Sequence, residues 1–380
     1  MRLIIGNKIV DLSQTLNFNP LNSKPRILLA MSGGVDSSVA AFLLQQAGYE
    51  VVGVTLRMWS YEKNYHGKVG AVSDCNFIAD AQQVAKALNM EHHVVDVQDE
   101  FARTIIQDFV AEYFAGHTPN PCVLCNPTMK FGTLIHYADQ LGCEKVATGH
   151  YLCLKNENGR FFVSRGKDAT KDQSYVLWKM SQEQLSRCVF PLGTFTKKEV
   201  KEYARTFGIK AIAEKRESYD VCFIPNGDYR TFLQMQHPER CEALRGGVIC
   251  DKNGKWLGKH RGYPFYTIGQ RKGLEVAVGH PVYVTKLDTE NNNVILGEKE
   301  ELLSQTLWVT DYNISKYETL PENYRALVRI RYKDIGTMAT ITREENRLRC
   351  HFDRPVSAVT PGQSAVFYEN DDVVGGGIIV

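Results

Sequence analysis

The chain has 380 residues, 43% of them hydrophobic and 23% charged, with a formal net charge of +2. That length allows two or three domains, and the composition is that of an ordinary globular protein with apolar mass for more than one core. The near-neutral total argues neither for nor against a nucleic-acid partner, because a local basic patch does not register in the sum. The N-terminal MRLIIGNKIVDLSQ has no long apolar stretch and no small-residue cleavage site, so it does not read as a secretory signal. No run approaches the ~20 apolar residues of a membrane span. The expectation is a cytoplasmic protein with no membrane partner, whose ten cysteines begin as thiols. Cys75, Cys143, Cys153, Cys188, Cys241, Cys250 and Cys350 look scattered. Against that background a patterned pair of cysteines reads as chemical rather than structural.

Residues 1–25 read as a loosely attached arm ending in the turn-rich NPLNSKP. RILLAM (26–31) is a short apolar, strand-like run, followed by a Gly-rich turn. In SSVAAFLLQQAG, Val39, Ala40, Leu43 and Leu44 fall at helical spacing and Gly48 stands where the helix should stop. EVVGVTLRMW reads as a strand, 76–90 as a helix, HHVVDV as a strand, 99–115 as a helix, GTLIHYADQLG as helical and EKVATGH as strand-like. Strands alternating with helices imply a mostly parallel sheet covered on both faces. After about residue 225 short apolar runs alternate with Gly, Asn, Asp and Pro, which reads as a small β-rich unit. From about 305, LWVTDYNI, YRALVRIRY, GTMATITR, RLRCHF and SAVFYENDDVVGGGII predict a closed or sandwiched antiparallel domain. The domain expectation is therefore an arm at 1–25, an α/β domain at 26–228, a central β-rich domain at 229–300 and a β-barrel at 301–380.

The strongest single motif is Ser32-Gly33-Gly34-Val35-Asp36-Ser37-Ser38, between a predicted strand and a predicted helix. A helix N-terminus offers free N–H groups and the positive end of the helix dipole to phosphate. The glycines let the backbone approach the anion, and the serines add hydroxyl donors. The G-K-[ST] ending of a Walker A loop is absent. A bland helix-capping turn would use Ser and Asp in the same places. The length of the match and its strand–loop–helix setting disfavour that reading. SGGVDS resembles the signature of the PP-loop ATP pyrophosphatase superfamily, which cleaves ATP to AMP and pyrophosphate. That resemblance implies an adenine nucleotide α-hydrolase-like fold for the first domain.

Further motifs make the resemblance specific. They are GHTPNPCVLCN (116–126), ATGHY (147–151), KDQSY (171–175), SYDVCFI (218–224), YTIGQRKGL (266–274), RIRY (329–332) and TPGQSAVFY (360–368). Together with SGGVDSS they resemble the tRNA-specific 2-thiouridylase family from Arg26 to the end of the chain. The implied function is ATP-dependent 2-thiolation of the wobble uridine of tRNA. Carbonyl oxygen is a poor leaving group; transfer of AMP to it makes it a good one, and a thiolate or persulfide is then a far better nucleophile than water. By resemblance Cys222 carries a persulfide sulfur from a donor protein. Cys125 attacks or resolves it, leaving a Cys125–Cys222 disulfide to be reduced. A flexible loop around 215–225 would bring Cys222 in. ATP would lie against Ala30, Met31, Ser32, Gly33, Gly34, Val35, Asp36 and Ser37, with Leu56 and Gly149, and Asp36 would help place magnesium. The implied tRNA contacts are Asn120, Pro121, Cys122, His150, Lys171, Asp172, Gln173, Arg331, Tyr332 and Gln363.

Many members of that family have Asp where this chain has Cys122. Cys-x-x-Cys plus a distant cysteine is also a three-ligand set for an iron–sulfur cluster. Two readings of Cys122, Cys125 and Cys222 therefore stay open: persulfide transfer with a transient disulfide, or a [4Fe–4S] cluster carrying the added sulfur from a sulfide or persulfide donor. Structural zinc, with no evident fourth ligand, is the weakest. The bland alternatives are a turn histidine for His150, a core leucine for Leu56 and a solvated turn for Lys171, Asp172 and Gln173. Competing functions are a thiolase for another RNA position, a small-molecule PP-loop ligase, and a non-enzymatic RNA-binding protein. The cysteine pair and the basic C-terminal β-domain weigh against the ligase, and a non-enzymatic role would need the catalytic motifs to be degenerate, whereas they are present.

Overall fold

In the computed structural model the described residues are 2–5, 8–11, 24–60, 75–207, 221–224 and 227–380. Most of the expected arm, and the loop expected around 215–225 except its 221–224 portion, lie outside them. The backbone of β1 (Arg2–Ile5) pairs antiparallel with β2 (Lys8–Asp11).

The first large unit is a five-stranded, all-parallel sheet. Its elements are β3 (Arg26–Ala30), α1 (Val35–Gln46), β4 (Glu50–Arg57), α2 (Cys75–Ala87), β5 (Glu91–Asp96), α3 (98–114), α4 (121–140), β6 (Lys145–Ala147), the hairpin β7 (Leu152–Glu157) and β8 (Arg160–Arg165), α5 (Gln182–Ser186), β9 (Cys188–Val189) and α6 (Lys197–Thr206). The strand order is β5-β4-β3-β6-β9. β3 is central, and its alternate side chains feed two cores. Leu28 packs on one face with Val52, Val54 and the residues of α3 and α4, while Ile27 and Leu29 pack on the other with Val39, Leu43, Ala81 and Val200. This two-sided burial is why RILLA is an uninterrupted apolar run rather than an alternating one.

α1 ends at Ala47, and Gly48 follows at φ +88°, as the sequence predicts. The helical signal read from Gly132 belongs to a longer helix. α4 begins at Pro121, with Asn120 as its cap and proline in the first position, where a missing N–H costs nothing. Asn-Pro serves a turn as readily as a helix cap, so local sequence does not set the start of this helix. α4 widens to π-helix over Asn126–Gly132, where Pro127 has no N–H to donate inside the helix.

The central unit contains α7 (Tyr229–Gln236), α8 (Pro238–Ala243) and a four-stranded sheet of β10 (Val248–Asp251), β11 (Trp256–Lys259), β12 (Tyr283–Asp288) and β13 (Asn293–Gly297), in the order β11-β10-β13-β12. The C-terminal unit is a closed antiparallel barrel of β14 (Leu303–Ile314), β15 (Tyr324–Arg329), β16 (Thr337–Glu344), β17 (Arg347–Ser357), β18 (Ser364–Glu369) and β19 (Asp372–Ile379). β14 pairs with β17 and, from Val309 on and across a register shift between Thr310 and Asn313, with β19, which closes the barrel. In β17 Leu348, Cys350 and Phe352 point inward and Arg347, Arg349 and His351 outward, the period of two expected of a strand with one wet face. The hairpin β7–β8 of the first unit extends the barrel sheet through Ser164 opposite Asp372.

Candidate active site

The PP-loop runs from the end of β3 into α1. Met31 is buried, its N–H donates to Val54 O at 2.8 Å and its carbonyl accepts from Thr55 Oγ1 at 2.9 Å. Ala30 and Leu56 are half-buried beside it and pack on the core. Gly33 has φ +67°, and a Cβ there would stand 2.3 Å from Phe77 O. Only glycine fits both the left-handed backbone and the approach of α2. Gly34 caps α1 without a side-chain bond, leaving the N-terminal N–H groups near Val35 and Asp36 to a ligand. Ser37 Oγ donates to Gly34 O at 3.1 Å and lies 3.4 Å from Ser32 Oγ, so the hydroxyls brace the loop. Gly149 closes the other side: a Cβ on it would stand 3.1 Å from Asp36 Cβ and from Ser37 N.

Asp36 is not free. Lys197 Nζ, from the first residue of α6, sits 2.7 Å from each carboxylate oxygen, and Tyr151 OH donates to Oδ1 at 2.6 Å. Lys197 is buried and Asp36 half-buried. Neither Lys197 nor Tyr151 was singled out from the sequence. The capping box of Thr196 with Glu199 marks the helix start in the letters T-K-K-E, but nothing in them says that the lysine turns toward the PP-loop.

The three cysteines come together. Cys122 and Cys125 lie one turn apart on α4, Cys122 exposed and Cys125 buried, with Asn120 Oδ1 accepting from Cys122 N at 3.2 Å. Cys222 is exposed on the short turn 221–224, closed by Ile224 N–H on Val221 O at 3.0 Å. The next residue, Phe223, is the anchor: it is buried among Phe109, Phe232, Phe101 and Trp59, with ring centroids 5.3, 5.3, 5.7 and 6.1 Å away. Desolvation pushes all three thiols up. Cys125 rises to about 11, with Cys122 adding to it, and Cys222 to about 12, with Cys125 and Cys122 adding to it. Cys122 and Cys222 are thus reachable from solvent while dense protein around them solvates a thiolate poorly. Lys130, on the same helix as the Cys-x-x-Cys, is the cation that opposes the rise at each of the three. Among the described residues no three His, Cys, Asp or Glu side chains stand so as to hold a metal ion.

The remaining positions surround this centre. Pro121 is buried behind Asn120. His150 is buried too, its Nδ1 2.6 Å from Thr148 Oγ1 and its ring stacked 6.0 Å from Phe131; burial holds it well below the usual imidazole range, so it is neutral. The segment 171–173 is more than a solvated turn. Asp172 is buried and accepts from Ser174 N at 3.1 Å and Gly166 N at 3.3 Å, and Gln173 Oε1 accepts from Tyr151 N at 3.0 Å. Lys171 is half-buried there. From the barrel, Tyr332 OH donates to Asp172 O at 2.9 Å, and its phenol is raised chiefly by burial, with Cys122 among the contributing groups. Arg331 is exposed and donates to Ser357 O at 3.3 Å. Gln363 Nε2 donates to Thr118 O at 2.7 Å while Thr118 N–H donates to Pro361 O at 2.8 Å, a two-point clamp of the barrel on the segment leading to α4.

Comparison with known proteins now places this constellation. Residues 25–226 match the family described as the tRNA methyl transferase HUP domain, 230–298 the tRNA methyl transferase PRC-barrel domain, and 304–379 the aminomethyltransferase β-barrel domain. The tRNA-specific 2-thiouridylase MnmA of Amoebophilus asiaticus is 46% identical, over 94% of this chain and 95% of its own. The proteins of the same name from Cytophaga hutchinsonii and Moorella thermoacetica are each 46% identical, over 94% and 93% of this chain and 98% of their own. The chain belongs to the tRNA-specific 2-thiouridylase family. In this chain hydrogen bonds lead from Asp36 to Tyr151, from Tyr151 to Gln173, and from neighbouring Asp172 to Tyr332, which lies near Cys122. The residues of this 2-thiouridylase that sequence reasoning missed are those that join the parts: Lys197, Tyr151, Lys130, Phe223 and Thr118.

Proposed function

We propose that this protein uses ATP to replace oxygen by sulfur at position 2 of the wobble uridine of tRNA, by the persulfide route, in the cytoplasm. The observation that carries the reading is the nearness of Cys222 to Cys125 and Cys122, with barrel residue Tyr332 near Cys122, on the same α/β unit as the PP-loop. The 46% identity to 2-thiouridylases over nearly the whole chain supports the substrate.

In this reading the N–H groups at the start of α1 and the cradle of Gly33 and Gly34 hold the phosphates of ATP. Asp36 would be one of the one or two protein carboxylates that hold the magnesium of the nucleotide, which would neutralise phosphate charge. The uracil O2 attacks the α-phosphate, pyrophosphate leaves, and the adenylated base is the electrophile. The terminal sulfur of a Cys222 persulfide, supplied by a donor protein, attacks C2 and AMP departs. The Cys125 thiolate then attacks Cys222 Sγ, releasing the sulfur on the base and forming a Cys125–Cys222 disulfide, which a thiol reductant reopens. Asn120 and Pro121 shape the pocket for a flipped-out base, and Lys171, Asp172, Gln173, Arg331, Tyr332 and Gln363 line the tRNA side. Neutral, enclosed His150 supports this side from beneath rather than by charge.

Nucleoside mass spectrometry of unthiolated tRNA incubated with ATP, magnesium and a persulfide donor tests this, with anaerobic and air-exposed enzyme in parallel. 2-Thiouridine from both preparations is expected. Product only from anaerobic, iron-containing enzyme overturns the persulfide route, and no product from either overturns the substrate.

A further inference from the structure

The motif YTIGQRKGL of the central unit has no part in the chemistry above, and its conformation is unusually well braced. Gly269 N–H donates to Val284 O at 2.8 Å and Val284 N–H to Gln270 O at 3.0 Å, so β12 holds the loop from one side. The Gln270 carboxamide holds it from within: Oε1 accepts from Thr267 N at 3.2 Å and Arg230 Nη2 at 3.3 Å, and Nε2 donates to Lys272 O at 2.9 Å. Gly269 and Gly273, at φ +84° and +72°, make the two bends, and buried Leu274 ends the loop in the core. Between these fixed points Arg271 and Lys272 are exposed. Neither has a side-chain hydrogen bond or a carboxylate partner among the described residues, whereas Arg245, Lys252 and Arg261 of the same unit are each paired, with Glu242, Glu301 and Glu275.

Position gives these two cations a meaning. A Cβ on Gly269 would stand 2.8 Å from Ala358 Cβ, so the loop lies directly against barrel segment 357–363. That segment holds Arg331 through Ser357 O and clamps Thr118, three residues before the Cys-x-x-Cys helix, through Pro361 and Gln363. Two cations without a carboxylate partner among the described residues thus stand on a preordered turn, against the barrel segment that holds Arg331 and clamps the approach to the Cys-x-x-Cys helix.

We propose that Arg271 and Lys272 form a phosphate-binding turn for the tRNA backbone, a third wall of the tRNA site contributed by the central unit. This rests on the tRNA reading above. Each contact adds counterion release, so the double variant R271A/K272A removes up to two phosphates' worth of salt dependence.

The test is binding of an unmodified tRNA transcript to the full-length protein, read by fluorescence anisotropy over a salt series. For R271A/K272A the slope of log Kd against log salt is expected to fall by about 2 and affinity at low salt by ~10-fold or more. R271K/K272R is expected to keep both, and ATP binding and thermal unfolding are expected to match the parent. An unchanged slope overturns the proposal. So does unchanged tRNA binding with slower persulfide loading of Cys222, which would assign the turn to the donor protein. Since this assay needs no turnover, failure of the thiolation assay with the slope loss intact would sink the reaction and leave the tRNA wall standing.

Discussion

Lys197 Nζ lies 2.7 Å from both oxygens of the Asp36 carboxylate, with Tyr151 OH on the same group at 2.6 Å. The PP-loop carboxylate is therefore neutralised by a buried cation before nucleotide arrives. A cation bound at Asp36 would share the carboxylate with Lys197 or displace it. Lys197→Met is expected to lower pyrophosphate release by ~100-fold or more, the scale of a lost electrostatic stabiliser. Lys197→Arg should restore part of it. Pyrophosphate release in the presence of tRNA is the measurement, and a near-parental rate in Lys197→Met would remove the lysine from the nucleotide site.

Gly33→Ala places a Cβ 2.3 Å from Phe77 O on a backbone at φ +67°. Loop and helix must part, at a cost of about 1–3 kcal/mol from the backbone conformation alone. The expected result is a lower unfolding midpoint and loss of ATP binding by calorimetry. An alanine variant that binds ATP normally would show that the loop adapts without α2.

The thiol environment makes a pH prediction. With Cys125 at about 11 and Cys222 at about 12, both thiols are protonated at neutral pH in the free protein. Since each lies above the working range, the reactive fraction should climb about tenfold per pH unit with no plateau below about pH 10. Iodoacetamide labelling of Cys222, quantified by peptide mass spectrometry, checks this. Lys130→Met should slow labelling further and Lys130→Arg should preserve it, because Lys130 opposes the rise at all three thiols. A plateau near pH 7 would mean a thiolate stabilised by something beyond this arrangement.

Phe223 holds Cys222 in place by filling the space among Trp59, Phe101, Phe109 and Phe232. Phe223→Ala should destabilise the fold by about 3–5 kcal/mol, as for other buried aromatic truncations. Oxidative Cys125–Cys222 crosslinking should fall as well, whereas Phe223→Leu should retain most of it. Urea unfolding and a diagonal gel report the two effects separately.

Gly362 sits at φ +88°, and a Cβ there would meet His117 Cβ at 2.9 Å and Thr118 N at 3.0 Å. Gly362→Ala should open the clamp between barrel and catalytic unit. Thiolation at saturating tRNA is expected to drop by an order of magnitude or more, since small displacements of a positioning element are expensive. ATP affinity should not change. Equal activity in the variant would make the clamp a packing contact only.

The sequence by itself determined the parts that depend on local order. RILLA followed by SGGVDSS reads as a buried strand running into a helix, and the alternating RLRCHF as a strand with one wet face, and both form so. Cys125 and Cys222 are read together from the motifs around them, and the structure brings them near each other. The start of α4 was not legible, since Asn120-Pro121 is equally a turn and a helix cap, and only the packing of Val123 and Cys125 into the core selects the cap. Tertiary structure alone decided that Lys197 faces Asp36, that Phe223 seats Cys222 by packing among Trp59, Phe101, Phe109 and Phe232, and that Thr118 answers to Gln363 across 245 positions. Each of these joins residues far apart in the chain, where no periodicity or spacing relates one to the other. Their meeting is set by how two sheets and a barrel share buried surface.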